Sequence, residues 1–273
     1  MADRYAVVGN PISHSQSPLI HAEFARQLGQ AIEYEKMLAP LDGFAAAAQQ
    51  FAAEGGKGLN ITIPFKLDAR QLATQLTARA RAADAVNTLT FKDGEIFGDN
   101  TDGVGLVRDI TENLDFPIEG KRILILGAGG AVRGVLLPLL EAKAASLTIA
   151  NRTVSKAQDL ARHFSSHGEI EALGYDALQG RQFDIIINGT STSLNNELPP
   201  IPEGIFAEGS LAYDMVYSAG LTPFLKRGQI ERAAMLADGL GMLVEQAAES
   251  FLIWRGVMPN TRPVMGVLRE VLR

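Results

Sequence analysis

The chain has 273 residues, 25 Lys+Arg against 31 Asp+Glu for a formal net charge of −6, 47% hydrophobic and 21% charged residues, and no cysteine. That is globular composition, long enough for two domains with sizeable cores, and its acidic total argues against a nucleic-acid or anionic-membrane surface. The missing cysteine excludes disulfides, thiolate nucleophiles and Cys-ligated metals. His14, His21, His163 and His167 are scattered without metal-ligand spacing, so no metal is expected. The chain opens directly on the strand-like Tyr5-Ala-Val-Val8 without a basic-then-apolar leader. No apolar run approaches the roughly 18 residues of a membrane span. A cytoplasmic protein is expected, and these features leave a homodimer open.

The first hundred residues alternate strand and helix patterns. Tyr5 to Val8 reads as a strand, followed by a loop carrying Asn10-Pro11. Ser17-Pro18 reads as an N-cap followed by proline at the first helical position, with Ile20, Phe24 and Leu28 as the apolar stripe and Gly29 as the stop. Ile32 to Leu38 reads as a strand, Phe44 to Glu54 as an Ala-rich helix, and Leu59 to Ile63 as a strand terminated by Pro64. Asn87 to Phe91 and Glu95 to Phe97 flank Asp93-Gly94, a strong hairpin signal.

A second unit opens near residue 120. Arg122 to Leu126 is a continuous apolar strand of the kind buried on both faces in a parallel sheet. A glycine-rich turn, a helix and the strand Ser146 to Ala150 complete a βαβ unit, and further strands are expected at Phe183 to Ile187, Leu211 to Met215 and Ala234 to Leu236. This alternation predicts a doubly wound parallel sheet. Pro138 should kink the first helix of the unit or move its boundary. From Gly239 onward the pattern is helical, and these last helices are expected to cover the first domain.

Gly127-Ala128-Gly129-Gly130-Ala131 lies between a strand and a helix, the context that makes a glycine pattern a dinucleotide site. Gly127 permits the tight turn, Gly129 lets backbone approach a pyrophosphate, and the helix N-terminus offers free N–H groups and a positive dipole end. Val132 departs from the fingerprint, standing where a small residue is usual. The next strand ends at Asn151-Arg152-Thr153, with Lys156 beyond. An NAD site would carry an acid there for the ribose 2′-hydroxyl; two cations and small polar groups instead suit the 2′-phosphate of NADP.

Several ordered segments resemble the shikimate dehydrogenase family over essentially the whole chain. They are Gly9-Asn-Pro-Ile-Ser-His-Ser-Gln-Ser-Pro18, Asn60-Ile-Thr-Ile-Pro-Phe-Lys66, Ala85-Val-Asn-Thr88, Gly98-Asp-Asn-Thr-Asp-Gly103, the glycine turn, Asn151-Arg-Thr153, and Asp238-Gly-Leu-Gly-Met-Leu-Val244 with Gln246. The resemblance implies an α/β fold of two domains. A substrate domain spans 1–104 with 238–273 packed back onto it, and a Rossmann-type NADP-binding domain spans 105–237. It implies NADPH-dependent reduction of 3-dehydroshikimate to shikimate, a step toward the aromatic amino acids. Ser15 and Ser17 would bind the substrate carboxylate, Thr62, Asn87, Asp102 and Gln246 its ring oxygens, and Lys66 with Asp102 would form the catalytic pair. Tyr217 and Gly239 would neighbour the site, while Thr190, Met215 and Val216 would line the nicotinamide end.

Ser17 and Asp102 carry a structural alternative as helix N-caps, whereas Ser15 has no such excuse. The family commonly reads Asn-Ala-Thr where this chain has Asn188-Gly189-Thr190. Two other readings stay open: a quinate/shikimate dehydrogenase paralogue with broader substrate use or NAD preference, and a non-catalytic NADP-binding sensor. The latter should have lost Lys66 or Asp102, and both are present.

Overall fold

The computed structural model describes residues 2–272. The chain forms two compact units, one running to Gly105 and including Val244–Val267, the other comprising Leu106–Leu243 and the residues from Leu268 on. In the first, β1 (Asp3–Gly9), α1 (Ser17–Leu28), β2 (Ile32–Leu38), α2 (Phe44–Ala53) and β3 (Gly56–Ile61) follow one another. Then come α3 (Lys66–Leu72), β4 (Gln75–Leu76), α4 (Ala78–Ala83) and the hairpin β5 (Thr88–Lys92) and β6 (Glu95–Asp99), and α5 (Asp102–Arg108) carries the chain out. The sheet order is β2-β1-β3-β5-β6-β4, with β1 parallel to β2 and β3, and β5 antiparallel to β3 and β6. Asp93 and Gly94 both take positive φ, as a two-residue type I′ turn requires.

The local expectations need five corrections here. Gln16, not Ser17, is the N-cap of α1; Ser17 is its first residue. The Ser15 hydroxyl oxygen accepts from the Ser17 N–H (3.3 Å), so Ser15 too has a structural role, at one of the free N–H groups of the helix start. Asp102 likewise lies inside α5 as its first residue. β3 begins at Gly56 and ends at Ile61, because its two early glycines make room for neighbouring rings. A Cβ at Gly56 would stand 2.2 Å from the Phe51 ring, and one at Gly58 2.4 Å from Trp254 Nε1. The short helices α3 and α4 escape a periodicity reading because they span only seven and six residues.

In the second unit β7 (Arg122–Leu126), α6 (Gly130–Glu141), β8 (Ser146–Ala150), α7 (Val154–His163) and β9 (Glu171–Leu173) precede β10 (Phe183–Asn188), β11 (Phe206–Asp214), α8 (Pro223–Ile230) and β12 (Met235–Asp238). The order is β12-β11-β10-β7-β8-β9, every neighbouring pair parallel. This is a doubly wound sheet whose order reverses between β7 and β10, and ligands bind such sheets outside the carboxyl ends at that point. α6 runs through Pro138 without a break; Pro138 and Gly134, whose carbonyl its missing N–H would have met, are both buried.

The last helices are α9 (Leu240–Arg255) and α10 (Arg262–Val271). The switch of unit falls inside α9 rather than at 238, and α10 ends in the second unit. Two contacts explain this. Gly241 lies against the Asp109 carboxylate, which accepts from the buried Tyr213 hydroxyl (2.7 Å), and Arg269 pairs with Asp238. The remainder of α9 completes the first unit: Trp254 stacks on Tyr5 (4.6 Å between ring centres), Phe251 meets Phe24 (5.8 Å), and Trp254 Nε1–H donates to the Leu89 carbonyl (3.1 Å).

Gly58 therefore holds the seat of the chain's single tryptophan. Gly58→Ala is expected to destabilise the fold by about 1–3 kcal/mol, the usual cost of overpacking. It should also shift Trp254 emission to the red, measured by denaturant unfolding followed by fluorescence. An unchanged midpoint and spectrum would refute this packing account.

Candidate active site

The segment after β3 is pinned by aromatic packing. Phe65 is fully buried and stacks on Phe44 (5.2 Å), while the Lys66 carbonyl accepts from the Val86 N–H (3.0 Å). Its neighbours Ile63 and Leu67 face solvent. This anchoring delivers the Lys66 side chain, 26% exposed, to Asp102 Oδ2 at 2.5 Å. The Asp102 carboxylate is 10% exposed, and its other oxygen accepts from Asn87 Nδ2 (2.8 Å).

Asn87 is buried and saturated. Its Nδ2 also donates to Thr101 Oγ1 (2.9 Å) and Gln246 Oε1 (3.4 Å), and its Oδ1 accepts from the Thr101 N–H and the Thr88 hydroxyl (both 2.9 Å). The loop before α5 is fixed by Asp99, which accepts from Arg79, Thr77 and the Asn100 N–H. Lys66, Asn87, Asp102 and Gln246 thus form one connected group. Ser15 and Ser17 form another, with the Ser15 hydroxyl donating to Ser17 Oγ (3.2 Å). Thr62 packs its methyl where a side chain at Gly9 would stand (2.5 Å), which explains the glycine in the Gly-Asn-Pro segment. Tyr217 lies in the second unit, and burial raises its phenol above the usual range.

Residue-by-residue reading missed Thr88, Thr101 and Asn60 as partners although they sit within the quoted segments. It also missed Ser250, which lies four residues beyond Gln246 on the same helix and is fully buried.

In the second unit, Gly127 adopts φ +104, and a Cβ there would crowd Gly189 and Thr190 at 3.1–3.3 Å. Gly129 is the N-cap of α6, and neither it nor Gly130 would meet anything within 4 Å if it carried a Cβ. Ala128 is half-buried, and Gly129, Gly130 and Ala131 are exposed. An open backbone cradle at a helix N-terminus is what a pyrophosphate requires. Asn151 donates to the Thr153 carbonyl (2.8 Å), shaping the turn from which Arg152 and Lys156 project, both exposed.

The loops after β10 and β11 share one buried carboxylate. Asp214 accepts from Ser193 Oγ and Thr222 Oγ1 (both 2.6 Å) and from the Val216 N–H (3.1 Å), and Asn188 ties Thr190 (2.6 Å) into the same network. Gly239 is irreplaceable on steric grounds, since a Cβ would sit 2.1 Å from the Met215 carbonyl oxygen. Among the described residues no group of His, Asp and Glu is arranged to hold a metal, and no helix is long and apolar enough to cross a membrane.

Comparison with known proteins gives these two sites a context. Residues 7–89 match the model of the shikimate dehydrogenase substrate binding domain, 108–196 that of shikimate / quinate 5-dehydrogenase, and 239–269 that of the shikimate 5'-dehydrogenase C-terminal domain. A shikimate dehydrogenase (NADP(+)) of Chromobacterium violaceum is 70% identical over 272 residues, 100% of both chains. The chain belongs to the shikimate dehydrogenase family. Among solved structures, an Ael1 enzyme from Pseudomonas putida is 52% identical with a TM-score of 0.94, covering 98% of both chains. The shikimate 5-dehydrogenase of Thermus thermophilus in complex with NADP(H) and shikimate is 30% identical with a TM-score of 0.89, covering 99% of this chain and 100% of that one.

Val132, a departure from the glycine fingerprint, and Gly189, a departure from the family's Asn-Ala-Thr, stand against each other. A Cβ at Gly189 would stand 2.5 Å from Val132 Cγ2. Val132 thus occupies the space that an alanine at 189 would need, so the larger residue on α6 goes with the smaller one after β10. Gly189→Ala alone is expected to cost about 1–3 kcal/mol. Adding Val132→Ala should recover most of that loss in thermal unfolding. Additive losses would show that the two sites do not share this space.

Proposed function

We propose that the chain catalyses the reversible reduction of 3-dehydroshikimate to shikimate with NADPH, a step toward the aromatic amino acids. The observation that carries this reading is the 2.5 Å pair of Lys66 and Asp102, held by a buried amide beside Gln246. NADPH, when bound, supplies the hydride that converts the ring ketone to an alcohol. As the carbonyl carbon accepts that electron pair, negative charge develops on its oxygen. Lys66, as the ammonium ion, stabilises this charge and gives the oxygen its proton; in the reverse direction it takes the proton from the alcohol. Asp102 orients the ammonium group. Asn87, Thr62 and Gln246 offer donors and acceptors to the ring hydroxyls, and Ser15 and Ser17 offer hydroxyl donors to the carboxylate.

For the cofactor, the residues present fit a dinucleotide. The open cradle of Gly127, Ala128, Gly129, Gly130 and Ala131 would hold the pyrophosphate. Arg152 and Lys156, with Asn151 and Thr153, would hold the 2′-phosphate, and no carboxylate stands at this strand end to favour NAD. Thr190, Met215, Val216 and Gly239 would flank the nicotinamide.

Lys66→Ala tests the catalytic assignment. General acid catalysis contributes roughly 10²–10⁴-fold, so kcat for shikimate oxidation should fall at least about a hundredfold with little change in KM. A kcat near that of the unaltered enzyme would sink the assignment.

A further inference from the structure

Asn188 and Asp214 face each other at the carboxyl ends of β10 and β11, paired in register and both fully buried. The Thr190 N–H, which can only donate, reaches the Asn188 side-chain oxygen (3.2 Å) and so fixes which way that amide points. Asn188 Nδ2 is left for Asp214 Oδ1 (3.3 Å) and Ser193 Oγ (3.1 Å). An amide oxygen cannot donate, so the Thr190 hydroxyl gives its proton to Asn188 Oδ1 at 2.6 Å. Asp214 Oδ1 also accepts from the Val216 N–H (3.1 Å). Its Oδ2 accepts from two hydroxyls, Ser193 and Thr222, both at 2.6 Å. Each of these hydroxyls is itself held by a donor: Ser193 by Asn188 Nδ2, Thr222 by the Leu225 N–H at the start of α8 (3.2 Å). Four uncharged donors therefore hold this carboxylate in place.

We propose that Asp214, with Asn188, is the positioning residue for the reactive end of the cofactor. The proposal rests on the assignment of Thr190, Met215, Val216 and Gly239 to the nicotinamide. All four hang from this buried pair. Thr190 is tied through its N–H and its hydroxyl to Asn188 Oδ1, and the Met215 N–H donates to the Asn188 carbonyl oxygen (2.9 Å). Val216 is tied to Asp214, and the Gly239 N–H donates in turn to the Val216 carbonyl oxygen (3.3 Å). Asp214 is fully buried and acts through these residues rather than by touching the ring. The end of β8, assigned to the 2′-phosphate, lies two strands away from β10 across β7. Loss of Asp214 should therefore split the cofactor's two ends, disturbing the nicotinamide and sparing the adenosine. Hydride transfer is sensitive to such a disturbance, since a misplacement of about 1 Å can cost roughly a hundredfold in rate.

The test is Asp214→Ala in the full chain, with calorimetry of two ligands and initial rates of shikimate oxidation. The ligands are NADP+ and adenosine 2′,5′-bisphosphate, which carries the adenosine and 2′-phosphate but no nicotinamide. The NADP+ dissociation constant is expected to rise about fivefold or more, and kcat to fall about tenfold or more. The dissociation constant of adenosine 2′,5′-bisphosphate, and KM for shikimate at saturating NADP+, should stay within about twofold. Unchanged NADP+ affinity and kcat would overturn the proposal. So would equal weakening of both ligands, because a residue that merely supports the fold would not tell them apart. If Asp214→Ala does not fold, Ser193→Ala removes one donor from the carboxylate and is read in the same way. It should weaken NADP+ and lower kcat by about threefold each, again sparing the bisphosphate; no change in either would refute the proposal. An unaltered chain that binds neither ligand would defeat the NADP reading itself, and this proposal with it.

Discussion

Asn87 can point only one way, because its oxygen meets a backbone N–H and its nitrogen meets a carboxylate. From that constraint the polarity of Thr88 follows, since its hydroxyl must donate to the Asn87 oxygen. A buried amide with every lone pair and proton engaged costs little to keep and much to disturb, since each partner left unpaired in a low-dielectric interior carries a penalty of roughly 1–3 kcal/mol. The Lys66–Asp102 pair is therefore not a free surface ion pair of small worth. One end is fixed by Asn87 and the other by the buried Phe65 that anchors the turn.

The second unit solves a different problem with similar means. Its glycine turn leaves the start of α6 uncovered: Gly129, Gly130 and Ala131 are exposed, and nothing lies within 4 Å of where a side chain at Gly129 or Gly130 would stand. Support comes from below: Gly127, Gly189 and Val132 pack together at the ends of β7 and β10, and Asp214 gathers the loops that follow β10 and β11. Cations at the end of β8 and an uncovered helix N-terminus give this edge a local positive character within a chain of net charge −6.

Much of this was legible in the sequence where a single physical signal dominates. The apolar strands β7 and β8, the Asp93-Gly94 hairpin and the strand-turn-helix around Gly127 lie where pattern and turn chemistry put them. The misreadings came where tertiary packing overrides local preference. Gly56 and Gly58 look like strand breakers, yet they belong to β3 because Phe51 and Trp254 fill the space above them. Ser17 looks like an N-cap, yet the helix starts with it, after Gln16, and no side chain caps the start. The residues named for the site came from recognisable segments. Their polar support did not, because Ser250 is 190 residues from its partner Asn60, and no local signal marks a serine on an apolar helix as a hydrogen-bond hub. Val132 and Gly189 are unrelated anomalies in sequence; in space Val132 fills the volume that a side chain at 189 would need.

The most direct test of the account is the initial rate of the full chain with shikimate and with quinate, each with NADP+ and with NAD+. The serine pair, the Lys66–Asp102 pair and the cationic end of β8 together require strong preference for shikimate with NADP+. Comparable rates with quinate or NAD+ would keep the chemistry and contradict the specificity argument, and no turnover with any pair, in protein that binds NADPH, would contradict the account at its centre.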